Sequence, residues 1–237
     1  MRRMEDKMLG IIGAMEIEVS KLKDNMQEVE IYTQASMTFL RGKLFQKEVV
    51  VVRSGIGKVN AALCTQILVD KYQVEAIINT GIAGSLKNEI NIGDIILSTD
   101  ALQHDMDATG FGYALGVIPQ MEQSIFIADK GLKDLAKACC ERVNPDINVF
   151  EGRIVSGDQF ISDRDKKDWI SRQFGGYCTE MEGAAIAQGA YLNNVPFLII
   201  RAISDKADDS AVVDYPEFEK KAAAHSVRLI EAICQTM

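Results

Sequence analysis

The chain of 237 residues has only two histidines, His104 and His225, and five cysteines, Cys64, Cys139, Cys140, Cys178 and Cys234. No two cysteines form a CxxC pair and none clusters with a histidine, so the usual thiolate and imidazole metal sites have nothing to be built from. An odd number of thiols in a chain this long fits a reducing cytoplasm better than a disulfide framework. There are just four prolines and no low-complexity or Pro/Ser-rich stretch at which to divide the chain. The longest apolar run, Val195–Ile200, falls far short of the ~18 residues of a bilayer span. The stretch Met8–Met15 is short and contains Gly10 and Gly13, and reads as a strand rather than a signal peptide. Basic side chains are in the minority: 26 Lys and Arg against 34 Asp and Glu give a net charge of −8. That balance argues against neutralising phosphate backbones or docking on anionic lipid, so neither nucleic acid nor membrane is an expected partner.

What is present is a regular alternation. Short runs rich in Ile and Val, bounded by Gly, Ser, Asn or Asp, read as buried strands: Met8–Ala14, Glu48–Val52, Ala76–Asn79, Gly93–Leu97, Asn148–Val155 and Val195–Ile203. Helical patterns lie between them, at Met15–Asn25, Lys58–Tyr72, Asp129–Arg142, Arg164–Gln173, Glu180–Leu192 and Pro216–Cys234. In Lys58–Tyr72 the set Val59, Ala62, Leu63, Ile67 and Leu68 reads as one buried stripe. The looser alternation of Val29–Leu44 suits antiparallel strands. The expectation is one α/β domain over residues 1–237, three-layered, with a mixed, mostly parallel central sheet flanked by helices. Ligands of such sheets sit beyond the carboxyl ends of the strands.

Small and acidic residues gather at those ends. They are Gly13-Ala14-Met15-Glu16-Ile17-Glu18-Val19, Ser54-Gly55-Ile56-Gly57-Lys58-Val59, Asn79-Thr80-Gly81-Ile82-Ala83-Gly84, Val155-Ser156-Gly157-Asp158-Gln159-Phe160-Ile161 and Arg201-Ala202-Ile203-Ser204-Asp205. Each has an ordinary reading when taken alone. Gly55-x-Gly57 suits a tight strand-to-helix turn and matches neither a dinucleotide nor a Walker fingerprint. Glu16, Glu18, Glu180 and Glu182 suit first helical turns, where carboxylates favour the macrodipole. Asp205 suits an N-cap. Met15, Met181 and Phe160 suit a core.

In order along the chain, however, Gly-Ala-Met-Glu-x-Glu-Val, Ser-Gly-Ile-Gly-Lys-Val, Val-Ser-Gly-Asp, Glu-Met-Glu (180–182) and Arg-Ala-Ile-Ser-Asp resemble the nucleoside phosphorylase/nucleosidase superfamily. They are most similar to its bacterial 5′-methylthioadenosine/S-adenosylhomocysteine nucleosidases, over almost the whole chain. The resemblance implies hydrolysis of the bond between adenine and a 5′-alkylthioribose, in methionine salvage and methyl-cycle recycling. It implies no cofactor or metal. One such pocket can accept several 5′ substituents, 5′-deoxyadenosine and aminofutalosine among them.

The same resemblance implies the roles. Asp205 is the general acid at adenine N7 and Glu18 the base for water. Glu182 holds the ribose hydroxyls and stabilises the oxocarbenium-like transition state. Arg201 holds the water or its carboxylate partners, and Ser204 braces Asp205. Met15 and Met181 pack on the sugar, Phe160 stacks on adenine, and the backbone of Ile161 reads the base edge. Ile82, Ala83, Gly84 and Glu180 line the substrate site. Tyr215, Ile154 and Val155 are candidates for the alkylthio pocket. The loop Phe111-Gly112-Tyr113…Pro119 resembles one that family homodimers lend to the neighbouring site.

Phosphorolysis is the nearest competing reaction. It needs fixed cationic and hydroxyl donors for phosphate, and related phosphorylases place an arginine and a hydroxyl residue at the positions of Asn79 and Ile82. Nucleosidases commonly carry a small hydroxyl residue where this chain has Ile82. A binding or sensory domain that keeps the pocket without turnover is the reading from another class, and the Glu18/Glu182/Asp205 set argues against it.

Overall fold

The Ile/Val-rich runs that meet a Gly, Ser or Asp boundary form the central strands, and the first and last strands of the chain are buried along their whole length. The computed structural model describes residues 8–208 and 211–237, without the side chains of 212–217. In chain order the elements are β1 (Leu9–Gly13), α1 (Glu16–Asp24), β2 (Met26–Gln34), β3 (Met37–Leu44), β4 (Lys47–Arg53), α2 (Lys58–Tyr72), β5 (Ala76–Ser85) and β6 (Ile95–Gln103). They continue with β7 (Phe126–Ile127), α3 (Lys130–Val143), β8 (Val149–Ser156), α4 (Arg164–Phe174), β9 (Cys178–Glu180), α5 (Gly183–Leu192), β10 (Phe197–Asp205) and α6 (Ala211–Thr236).

The sheet runs β10-β6-β8-β9-β5-β1-β4-β3-β2, and β10 also pairs with β5. Five strands therefore close on themselves, while β1, β4, β3 and β2 continue outward as an open sheet. The centre, β4-β1-β5-β10, is parallel. Antiparallel pairings bring in the β2–β3–β4 flank and join β6 to β10 and β9 to β5. Helices α1, α3 and α6 pack together on one side and α2 against α5 on the other. The result is the three-layer α/β domain expected, with a mixed sheet. Among the described residues, no helix is long and apolar enough to cross a membrane. All five cysteines are free and buried.

Three expectations need correction. In α2 the buried side is Ala61, Cys64, Thr65, Ile67 and Leu68, whereas Val59, Ala62 and Leu63 are exposed. The helix is apolar on two faces, and periodicity alone does not say which one the fold buries. Helix α5 begins only at Gly183. Glu180 closes strand β9 and Glu182 is the residue before the helix, so neither carboxylate rides in a first turn. Ile154 and Val155 point into the core, both fully buried, and do not line the site.

Candidate active site

The turn after β1 places the first carboxylate. Glu18, the third residue of α1, folds back over the start of its own helix. Its Oε2 accepts the N–H groups of Ala14 at 2.6 Å and Met15 at 2.8 Å, and its Oε1 accepts that of Ile82 at 3.2 Å. Gly81 makes this approach feasible, because a Cβ there would stand 2.7 Å from Glu18 Oε1. Burial raises the Glu18 carboxyl above its ordinary range against the pull of Arg201 and the three N–H donors. A carboxyl held up in this way is a better proton acceptor than an exposed one.

A buried ion pair stands behind it. Arg201, on β10, donates to the Glu180 carboxylate, to Asn79 Oδ1 at 2.5 Å and to the Ile200 carbonyl at 3.0 Å. Asn79 is fixed in turn by donating to the Ile12 carbonyl at 3.0 Å. Glu180 also accepts from the Ser156 hydroxyl and from the N–H groups of Glu182 at 3.1 Å and Gly183 at 2.8 Å. Burial works against its ionisation, but Arg201 and Ser156 hold the Glu180 carboxyl below its ordinary range. Both Glu180 oxygens are thereby engaged by the protein itself.

Glu182 feels the opposite balance. Burial and the neighbouring Glu180 charge push its carboxyl up to about 8, although Arg201 and the Gly57 N–H, 2.8 Å from Oε1, act to lower it. Two neighbouring carboxyls have thus been driven apart by their surroundings, Glu180 held down by its cation and Glu182 pushed up. Asp205, at the end of β10, accepts the Ser204 hydroxyl at 2.8 Å on Oδ2 and the Ala207 N–H at 2.8 Å on Oδ1. A bulge after Ile203 brings Asp205 level with Gly84 of β5, where a Cβ would come within 2.7 Å of its Oδ1. No helix among the described residues starts at Asp205, so it is not an N-cap.

These groups share one cavity of about 440 Å³ at the carboxyl ends of the parallel strands. Its lining brings together Met15, Glu18, Ile82, Ala83, Gly84, Phe160, Glu180, Met181, Glu182, Ser204 and Asp205, as the sequence implied, and adds Ala14, Ile56 and Thr179. Gly81, against Glu18, and Gly84, against Asp205, lie three residues apart on β5, a span of about 10 Å. That separation suits two carboxyls acting on different parts of one ligand.

Over residues 8–235 the chain matches the phosphorylase superfamily. The chain belongs to that superfamily. Within it, the 5′-methylthioadenosine/S-adenosylhomocysteine nucleosidases of Staphylococcus haemolyticus and Staphylococcus saprophyticus are 43% and 45% identical to it, each across 97% of this chain and all of the relative. Among solved structures, that of the Neisseria meningitidis nucleosidase in complex with methylthio-immucillin-A superposes with a TM-score of 0.93 at 38% identity, covering 98% of this chain and 100% of that one. The futalosine hydrolase of Helicobacter pylori reaches a TM-score of 0.92 at 30% identity, with 98% of each chain covered.

Several residues implied by the superfamily resemblance are not at the cavity wall. Arg201 is 1% exposed and sits behind the carboxylates. The Ile161 side chain packs in a small core with Leu86, Leu102, Val155, Ile170 and Phe174. Phe111 is 87% exposed and Tyr113 half-buried, and neither lines the cavity of its own chain. Tyr215 lies outside the described residues. Asn79, weighed as a phosphate-facing position, instead holds Arg201 from within the sheet. The sequence reading missed Ser156, whose hydroxyl bridges Glu180 and the Ala184 N–H at 2.7 Å. Its signal was in plain view, in the Val-Ser-Gly-Asp piece beside Glu-Met-Glu, but nothing local ties the two together until β8 pairs with β9 and sets Ser156 opposite Glu180.

Proposed function

We propose that this protein hydrolyses the N-glycosidic bond of 5′-methylthioadenosine and S-adenosylhomocysteine, releasing adenine and a 5′-alkylthioribose. The observation that carries this is the cavity wall: among the described residues its charged members are Glu18, Glu180, Glu182 and Asp205, with no lysine or arginine. A phosphate dianion would meet like charge there, whereas a neutral water and a sugar gaining positive charge would not. As C1′ becomes cationic, water attacks it and gives a proton to Glu18. The C1′–N9 electron pair passes to adenine, which takes a proton at N7 from Asp205. Glu182 holds the ribose hydroxyls and, as an anion, stabilises the cationic sugar. Arg201, unable to reach the ligand, keeps Glu180 charged and in place. Met15 and Met181 pack on the sugar, while Phe160, 52% exposed at the cavity mouth, stacks on the base and the Ile161 backbone reads its edge. The relative named a futalosine hydrolase supports futalosine-type nucleosides as further substrates of such a pocket. The pathway is methionine salvage, and five buried reduced thiols suit a cytoplasmic enzyme.

The discriminating experiment is adenine release with and without added phosphate. Free alkylthioribose should form at a rate independent of phosphate. Alkylthioribose 1-phosphate whose yield rises with phosphate would refute the assignment.

The working unit is a homodimer in this reading. Ile56, Val59, Leu63, Phe111, Ile127 and Leu192 are large apolar side chains left exposed, several of them on or beside the packed pair α2 and α5. A surface of that kind is what a second copy would cover. Phe111 and Tyr113 would then complete the neighbour's alkylthio pocket. Phe111→Ala/Tyr113→Ala should raise KM most for apolar 5′ groups. Mixed with an Asp205→Asn variant, it should regain activity on subunit exchange, because one site of each heterodimer would then be intact. Exchange verified by mass spectrometry without recovery would show that the loop serves its own chain.

A further inference from the structure

Lysine is an odd choice for the first residue of α2. The positive end of the helix dipole disfavours a cation there, and no acidic residue follows in the first turn. A local rule broken in this manner points to a duty elsewhere. The Lys58 ammonium donates to Asp105 Oδ1 at 2.7 Å and to Gln103 Oε1 at 2.9 Å, both at the end of β6. Asp105 Oδ2 accepts the Asp158 N–H at 3.0 Å, and Asp158 Oδ1 accepts the Lys58 N–H at 2.8 Å. The loop closes on itself through three strand ends. The residue just before Lys58 is Gly57, whose N–H lies 2.8 Å from Glu182 Oε1. Gly57 holds φ at +97°, and a Cβ there would stand 3.1 Å from Asp158 Oδ1. The turn is thus shaped around the same aspartate that Lys58 secures through Asp105.

We infer that Lys58 is a positioning residue for Glu182: by locking Asp105 and Asp158 together it fixes the Gly55–Gly57 turn, whose last N–H aims and orients the Glu182 carboxylate. The inference rests on the reading that Glu182 serves the ribose and the cationic sugar. Groups that face Glu182 are Glu180 and Glu18, which oppose its charge, and Arg201, which favours it. Those around the clamp are Lys58 and His104 beside Asp105, with Lys166 acting on His104. The Gly57 N–H favours the ionised form of Glu182, so a loosened turn makes ionisation harder and moves the acid limb of the rate profile to higher pH.

The test is adenine release by Lys58→Met and Asp105→Asn across the pH range around the Glu182 value. Each should lower kcat about 10- to 100-fold, the range found when hydrogen-bond partners behind a ligating group are removed. KM should change less, the acid limb should move upward, and the double variant should be no worse than the poorer single one. In a Glu182→Ala background, Lys58→Met should have almost no further effect. A lower melting temperature with an unmoved pH limb would overturn the inference, as would an equal loss in the Glu182→Ala background. Asp105→Asn keeps the side-chain shape and answers the question if Lys58→Met does not fold. Failure of the underlying reading looks different, since Glu182→Ala would then itself be fully active.

Discussion

Asp205→Asn should lose about 10²–10⁴ in kcat, the contribution expected of a positioned general acid, while the fold is left almost untouched. The asparagine Oδ1 can still accept the Ala207 N–H now 2.8 Å from Asp205 Oδ1. The Ser204 hydroxyl, now a donor to Oδ2 at 2.8 Å, can turn and accept from the new amide. Exchanging one neutral contact for another in this manner alters stability by about 1 kcal/mol or less. What the amide cannot do is give up a proton to adenine N7. The decisive comparison is therefore between adenine and a base that departs readily without protonation. The loss should be large for the first and small for the second. Equal losses for both would mean that Asp205 positions the ligand rather than protonating it, and retained activity would reduce it to a turn residue.

Much of this arrangement was legible in the sequence because the strands of an α/β sheet announce themselves. An Ile/Val run ending in Gly, Ser or Asp states both where a strand lies and where its carboxyl end is. The site follows from that, since the Glu18, Ile82–Gly84, Glu180–Glu182 and Ser204–Asp205 pieces all end up around one cavity. What was not legible depended on partners remote in sequence. Helix α2 is apolar on both sides, so Val59 and Leu63 looked like core, whereas the fold buries Ala61 and Cys64. Ile154 and Val155 stand three and two positions before Gly157, but strand pairing with β9 and β6 buries both. Glu180 lines the cavity as implied, but that Ser156, Arg201 and two N–H groups also hold it is visible only in three dimensions. Asn79 was misplaced for the same reason. Its side chain turns to Arg201 inside the sheet, a direction no spacing rule supplies.

Arg201→Met should be the most damaging single change to the fold, and the damage should grow with pH. Arg201 is the cation among three buried carboxylates, and Glu180, Glu182 and Glu18 all favour its charge despite burial. Removing one partner of a buried pair typically costs about 3–5 kcal/mol, because the charge left behind is uncompensated. Methionine fills part of the space without replacing the charge. In the native protein Glu180 titrates below its ordinary 4.5, so it contributes stability that is present above that value and lost as pH falls through its folded one. In the variant that contribution reverses. Without the guanidinium, burial would hold Glu180 up as it already holds Glu182 up to about 8. The folded state would then bind more protons than the unfolded one, and stability would fall as pH rises above about 4.5. The gap in stability between the two proteins should accordingly be small at acid pH and widen as pH rises, by about 1.4 kcal/mol for each unit through which Glu180 has moved. Thermal denaturation at several pH values tests this directly. A gap that stays constant with pH would mean that Arg201 supports the sheet by packing and its contact with Asn79 alone, and that the carboxylates of the site do not depend on its charge.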